Sequence, residues 1–215
     1  MTPKRPRPGI REANKDALQC RIEEAALKLF AEEGFANTTV GQIAAAADIA
    51  ERTFYRHFPT KQDVVFWRTK DRTEWLRTAL RELGNEYPSS SDLDWLVKGL
   101  EGYAVHVDDD QGLSRLRALT IRSSAELTAR AGEVYAMWGD LFASEVSRRR
   151  GKRAPDLSAR VASSIALSLL GAAFAEWARQ GGRTSLEVCM GRVLDAFRAI
   201  TDPMEVRRPV PAPGR

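Results

Sequence analysis

Histidine and cysteine are scarce, two of each in 215 residues, and that scarcity excludes a good deal of chemistry. Cys20 and Cys189 lie in separate apolar-periodic segments with no metal-ligand spacing, so neither a disulfide framework nor a zinc site is indicated, and each reads as a small buried hydrophobe. With His57 and His106 the only histidines, and with no phosphate-cradling glycine loop and no nucleophile elbow, the usual catalytic sets cannot be assembled. The chain is therefore not expected to be an enzyme, and no cofactor or metal is expected. Long apolar runs are missing too. The longest, Ile165 to Phe174, is interrupted by Ser168 and Gly171 and falls far short of the roughly 20 residues of a membrane span. Met1 to Lys15 has no apolar core to serve as a secretory signal. No membrane partner is expected, and the cytoplasm is the expected compartment.

What is present is a 43% apolar composition, enough for a sizeable core in one or two domains, and one organising stretch, Asn37 to Lys61. In it Val40, Ile43, Ala44 and Ala47 recur at three and four, which predicts a short helix with one apolar stripe. Thr39 followed three residues later by Gln42 fits a capping box at its start, and Thr38 beside it is placed to reach a phosphate. Asp48-Ile49-Ala50 is long enough only for a tight turn, and a turn of that kind needs a residue at positive φ, which Asp tolerates well after Gly. A second short helix is predicted over 51–58, with Phe54 and Phe58 one turn apart and pointing inward with Ile49. That leaves Arg52, Thr53, Tyr55, Arg56 and His57 outward or sideways. Arg offers a fork to guanine O6 and N7, Thr a methyl and a hydroxyl, and Tyr and His can bond phosphate oxygens. Pro59 ends this helix and Lys61 opens the next. The bland alternative is a helical hairpin with a solvated basic face, but cap, turn, paired Phe and basic outer face coincide here.

The motif T-T-V-x-x-I-A-x-x-A followed by E-R-T-F-Y-R-H-F-P-T-K resembles the DNA-binding domain of the TetR family of transcriptional regulators, over about Ile22 to Val65. The resemblance implies an all-α protein: an N-terminal three-helix helix-turn-helix DNA-binding domain and a C-terminal helical dimerisation and ligand-binding domain. The site residues it implies for DNA are Thr38, Thr39, Glu51, Arg52, Thr53, Tyr55, Arg56, His57 and Lys61. The family usually carries Gly where this chain has Asp48 and Ser or Thr where it has Ala50. The missing hydroxyl at that helix start costs about 1 kcal/mol, partly offset by Glu51 acting on the helix dipole.

The rest reads as helices as well. The first is predicted from Asn14 to Glu33 on the stripe Leu18, Ile22, Ala25 and Leu29 beside Phe30, stopped by Gly34 with Phe35 making the cap contact. Another runs unbroken from Thr60 to Gly84, where 85–91 forms a loop, and five more cover 92–107, 111–124, 129–149, 156–180 and 185–201, about nine helices in all. The expected division is a disordered basic arm (1–13), the DNA-binding domain (14–62), a helical regulatory and dimerisation domain (63–202), and a proline-bearing disordered tail (203–215). Lys4, Arg5, Arg7, Arg11 and Lys15 crowd the N-terminus, as a solubilising tail or as an arm along phosphates or in a minor groove; a net charge of +4 is compatible with either. His106 with Asp108, Asp109 and Asp110 reads as an acidic loop capping the next helix rather than as metal ligands. The run Arg148, Arg149, Arg150, Lys152 and Arg153 reads as a solvated helix end, with an anionic head group or flanking DNA as the sharper reading.

In the last two helices small residues (Ala162, Ala166) alternate with large ones (Leu169, Phe174, Met190, Leu194, Phe197). More apolar surface than outer helices of a monomer normally carry suggests a homodimer joined through two helices of each subunit. A pocket for a small-molecule effector is implied by the resemblance, with Tyr103, His106, Arg117, Tyr135, Trp138 and Phe142 as aromatic walls and polar anchors. The expected function is a ligand-responsive repressor acting as a homodimer on a palindromic double-stranded DNA operator. The alternatives are an activator or a ligand-independent regulator of the same fold, and, from other classes, an all-α enzyme or a helical adaptor.

Overall fold

The buried face of the first helix decides how the N-terminal half is assembled. In the computed structural model, which describes residues 10–108, 112–181 and 183–201, α1 spans Ile10–Glu33. It starts earlier than Asn14 and takes in the last residues assigned to a disordered arm; residues 1–9 and the tail 203–215 lie outside the described residues. Ile22, Ala26, Leu27 and Phe30 are the buried apolar positions, while Leu18, Ala25 and Leu29 are only partly covered, so the stripe is rotated from the expected one. Gly34 ends the helix at φ +85, its N–H on the Phe30 carbonyl at 3.1 Å. Phe35 then folds back edge-on to Phe30 with centroids 5.0 Å apart, the cap contact the Gly-Phe pair predicts.

The reader follows as α2 (Val40–Ala46) and α3 (Glu51–His57). The capping box is formed: the Gln42 amide donates to Thr39 Oγ1 at 3.2 Å and the Thr39 amide to Gln42 Oε1 at 2.8 Å. Asp48 has φ 52, and among the described residues it is the sole non-glycine at positive φ. The Ile49 amide closes the turn on the Ala44 carbonyl at 2.9 Å. Ala50 gives α3 no side-chain cap, as its missing hydroxyl requires. Ile43, Phe54 and Phe58 pack with Ile22, Phe30, Val64 and Val65 into the first core, and Leu127 from far along the chain closes it.

The helix expected from Thr60 to Gly84 is divided at Trp67–Arg68 into α4 (Lys61–Phe66) and α5 (Thr69–Glu86). The nine expected helices thus become ten helical segments among the described residues. No Gly or Pro marks the break. Val64 and Val65 belong to the first core while Leu76 and Leu80 belong to the second, and at the bend the Trp67 ring meets Phe58 at 6.3 Å.

The second core is built by α5, α6 (Asp92–Asp108), α8 (Ala125–Arg149), α9 (Leu157–Arg179) and α10 (Leu186–Thr201), while α7 (Leu113–Ser123) adds only Ala118 to it and turns Leu113, Leu116 and Ile121 to the first core. Its large members have their polar edges met: the Trp95 indole donates to the Leu80 carbonyl at 3.0 Å and that of Trp138 to Thr73 Oγ1 at 2.9 Å. By length and composition α9 is apolar enough to cross a membrane, with a mean hydropathy of 1.5 over its best window. Here its Ala159, Ala166, Leu170, Ala173 and Trp177 are instead buried against neighbouring helices. Asp108 caps α10 rather than the next helix in sequence, accepting from the amides of Leu186 (2.9 Å) and Glu187 (3.0 Å); Asp109 and Asp110 lie outside the described residues.

Because Asp48 holds the left-handed turn, Asp48→Gly is expected to leave thermal stability unchanged or slightly raised. Asp48→Val is expected to destabilise by about 1–2 kcal/mol, since a β-branched side chain is strained at that φ. Denaturation of both variants by circular dichroism measures this, and a Val variant as stable as the parent would mean that the turn carries no strain.

Candidate nucleic-acid interface and interior cavity

The outer face of α3 is polar and basic over an aromatic base. Phe54 and Phe58 are buried with centroids 5.7 Å apart, and Tyr55 stands edge-on to Phe54 with its ring half exposed. Arg52 and Arg56 are exposed and Thr53 is half-buried beside them. Glu51 is exposed in the first turn of α3 and lies over α2: a Cβ on Gly41 would stand 2.7 Å from its Oε1. Thr39 is occupied in its capping box but remains exposed.

Three of the residues expected on this surface are placed otherwise. Thr38 is buried, and its hydroxyl donates to the Gly34 carbonyl at 2.9 Å, so it braces the α1–α2 loop and does not face outward. The Lys61 ammonium donates to the carbonyls of Phe35 (2.6 Å) and Thr38 (2.9 Å) and lies 4.5 Å from the Phe35 ring centre, so it too holds that loop. His57 has its Nδ1 enclosed without a hydrogen-bond partner. Burial, with the nearby charges of Arg56 and Lys15, lowers its pKa, so at neutral pH it offers an uncharged edge and no cation.

Between the two cores lies a cavity of about 220 Å³. Tyr103, Arg117, Tyr135 and Trp138 line it as expected, together with Val65 and Phe66 of α4, Arg72 of α5, Ser114 and Ile121 of α7 and Phe174 of α9. Two expected liners are elsewhere. His106 stacks on Trp75 with centroids 4.6 Å apart and planes at 7°, and Phe142 is fully enclosed in the second core. Burial pushes the Tyr135 phenol up, so it stays protonated. Arg117 is 3% exposed. It donates to Ser114 Oγ at 3.1 Å and to the wholly buried Glu23 of α1, whose other oxygen accepts from Arg68 Nε at 2.8 Å. Pattern reading missed Glu23, since nothing local distinguishes it from the exposed acids of α1.

Residues 22–66 match the family described as bacterial regulatory proteins, tetR family, and residues 91–202 match the MftR C-terminal domain. The chain belongs to the TetR family. It is 26% identical over 181 residues to the transcriptional regulator MftR of Mycobacterium tuberculosis, spanning 84% of this chain and 89% of that one. With the transcriptional regulator SAB2452 of Staphylococcus aureus it shares 30% identity over 138 residues, 61% of this chain and 71% of the relative. The fold is that of FadR from Bacillus subtilis, solved in complex with stearoyl-CoA (TM-score 0.56, 19% identity, 83% and 96% of the two chains). It is likewise that of NalD, the secondary repressor of the MexAB-OprM efflux pump in Pseudomonas aeruginosa (TM-score 0.60, 21% identity, 86% and 96%).

In this TetR-family regulator the residues expected at a dimer seam are mostly spent inside the subunit. Ala166, Leu169, Met190 and Leu194 are buried in the second core, Ala162 and Phe197 pack against it, and Phe174 lines the cavity. The apolar groups that α9 and α10 leave outward are Leu157, Val161, Val188 and Ile200. The basic run at the end of α8 is exposed, as expected of a helix end, except at the partly covered Arg149, and most of it is paired. Arg149 donates to Asp92 and to the carbonyls of Tyr87, Pro88 and Ser90, Arg150 pairs with Asp92 and Asp156, and Lys152 pairs with Asp156.

Since Lys61 ties the segment before α2 from within, Lys61→Met is expected to destabilise the regulator by about 1–3 kcal/mol through the carbonyls it leaves unmet. Hydrogen exchange should accelerate selectively at the α2 amides, and unchanged exchange there would return Lys61 to a purely surface role.

Proposed function

We propose that this regulator is a homodimeric, effector-responsive repressor that reads a palindromic DNA operator and works in the cytoplasm. The observation that carries the reading is the α3 face, where Arg52, Tyr55 and Arg56 stand exposed on a helix anchored by Phe54 and Phe58. Arg52 and Arg56 reach base edges and Thr53 and Tyr55 meet the flanking phosphates and sugars. Thr39 and Glu51 sit at the starts of α2 and α3, where the ends of the reader approach the backbone. Thr38 and Lys61 hold the reader's shape and do not touch DNA. The cavity supports effector binding, being largely apolar with a few polar groups, as small-molecule sites are.

Reading a palindrome requires two copies of α3 about one helical turn of DNA apart, roughly 34–36 Å. The large apolar side chains that α9 and α10 leave for self-association are Leu157, Val161, Val188 and Ile200, because most of the expected seam residues pack within the subunit.

A gel shift on the DNA upstream of the chain's own gene tests the reading, and binding should fall steeply with salt. Arg52→Ala or Arg56→Ala is expected to cost about 1–3 kcal/mol on the operator and to narrow the gap to random DNA. An operator-to-random ratio unchanged in both variants would put the reading face elsewhere. Val161→Glu is expected to yield a folded monomer by sedimentation that binds at close to non-specific affinity. A variant that stays dimeric would place the interface on another surface.

A further inference from the structure

A hydrogen-bonding group in a cavity wall that the protein itself does not use points to what the cavity receives. Most polar groups in the wall of this cavity are already engaged. Arg72 donates to Ser114 Oγ at 2.8 Å, and Arg117 donates to the same oxygen at 3.1 Å and to Glu23. The Trp138 indole is taken by Thr73 Oγ1 at 2.9 Å. Arg122, the third charged residue of the wall among those described, is exposed to solvent. Tyr135 differs. Its ring centre lies 6.0 Å from that of Trp138 with the planes at 43°, and among the described residues nothing hydrogen-bonds its hydroxyl. Burial and the nearby Tyr103 phenol both push its pKa up, so the hydroxyl keeps its proton and stays a donor at neutral pH. Beside it Gly171 of α9 leaves room, since a Cβ there would have Tyr135 Cε1 as its nearest neighbour at 3.9 Å. Phe66 and Phe174 extend the aromatic wall. At about 220 Å³ the space lies below the roughly 300–1,000 Å³ of drug-sized ligand sites, which limits the occupant to a small molecule.

We propose that the cavity binds a small uncharged aromatic carbonyl compound, its ring on Phe66, Trp138 and Phe174 and its carbonyl oxygen accepting from the Tyr135 hydroxyl. This rests on the effector-responsive reading above and gives it a ligand class and an anchoring residue. An anion entering the same space would shed its water against mostly apolar walls, and Arg72 and Arg117 would have to leave bonds within the protein to meet it. A carbonyl sheds far less water, and its oxygen meets a donor that otherwise stays unmatched. Selectivity follows from the same contact. A hydrocarbon of the same shape fills the space but leaves the phenol unpaired, and a site with a buried donor discriminates against such an analogue.

The test is calorimetric titration of the full-length protein with three probes of nearly one shape. Acetophenone carries the carbonyl, α-methylstyrene replaces its oxygen by a methylene, and benzoate replaces its methyl by a charged oxygen. Acetophenone should bind several-fold more tightly than α-methylstyrene and at least ten-fold more tightly than benzoate. Tyr135→Phe should erase the preference for the ketone and bind α-methylstyrene as the parent does. Gly171→Ala, which adds a methyl beside the Tyr135 ring, should weaken ketone and hydrocarbon alike by several-fold. Without ligand, Tyr135→Phe should melt no lower than the parent, and a lower melting temperature would show that the hydroxyl serves the fold and would overturn its role as the anchor. Benzoate binding as tightly as acetophenone, a ketone preference that survives Tyr135→Phe, a Gly171→Ala protein that binds both probes like the parent, or binding of none of the three would overturn the assignment. The titrations contain no DNA, so a protein that takes the ketone yet shifts no DNA would sink the regulatory reading while leaving the ligand site standing. A protein that shifts DNA but takes no ketone would sink the ligand site alone.

Discussion

A carboxylate with no exposed surface, Glu23 on α1, is held between Arg68 at the α4–α5 bend and Arg117 on α7. An ionised carboxylate in such a place persists only while its partners stay in reach, and removing one partner from a buried pair costs roughly 3–5 kcal/mol. Three elements far apart in sequence are therefore fixed to one point. Only replacing the acid together with its arginines by apolar side chains of similar volume would be near neutral for stability. The charge instead makes the position of α1 depend on where two guanidiniums lie, and one of those guanidiniums also faces a cavity.

The same dependence explains why the chain has two cores and no clean seam between them. Leu113, Leu116, Ile121 and Leu127 come from the C-terminal half yet pack on the reader's core. Arg72 and Ser114 meet where α5 and α7 flank the cavity. The reader is thus not a bead on a linker. Its supporting helix α1 lies directly on α7, and the residues beside that contact also form the cavity wall.

The reader was legible in the sequence because its determinants are local. Cap, turn and aromatic pair fall within a few turns of one another, and each has one physical solution: Thr39 with Gln42, Asp48 at positive φ, Phe54 against Phe58. The general outline of the C-terminal helices was equally plain from their periodicity. What pattern could not supply was the partner of a side chain across long sequence separation. From its place beside the reader Lys61 reads as a DNA contact, and only the fold brings it to the Phe35 and Thr38 carbonyls. Ala166, Met190 and Leu194 looked like a seam between subunits because an apolar stripe reads the same whether it is covered by its own chain or by another. The division of α4 from α5 left no mark, since it arises from two cores claiming successive turns of one helix rather than from a helix-breaking residue.

That division bears on how the two halves communicate. α4 is six residues long and is held on every side. Lys61 grips the loop before α2, Gln62 donates to Glu126, and Asp63 accepts from Arg130 at 2.8 Å while capping its own helix. Burial pushes the Asp63 carboxyl up, but the hydrogen bonds from Arg130 and Thr60 outweigh this and hold its pKa below the usual range, so the pair with α8 is charged at neutral pH. Val65 and Phe66 of the same helix line the cavity, and the Arg130 guanidinium lies 4.9 Å from the Phe66 ring centre. Val65 and Phe66 of the cavity wall and Lys61, which grips the loop before α2, are thus carried on the same six residues, so the cavity and the start of α2 share one short element.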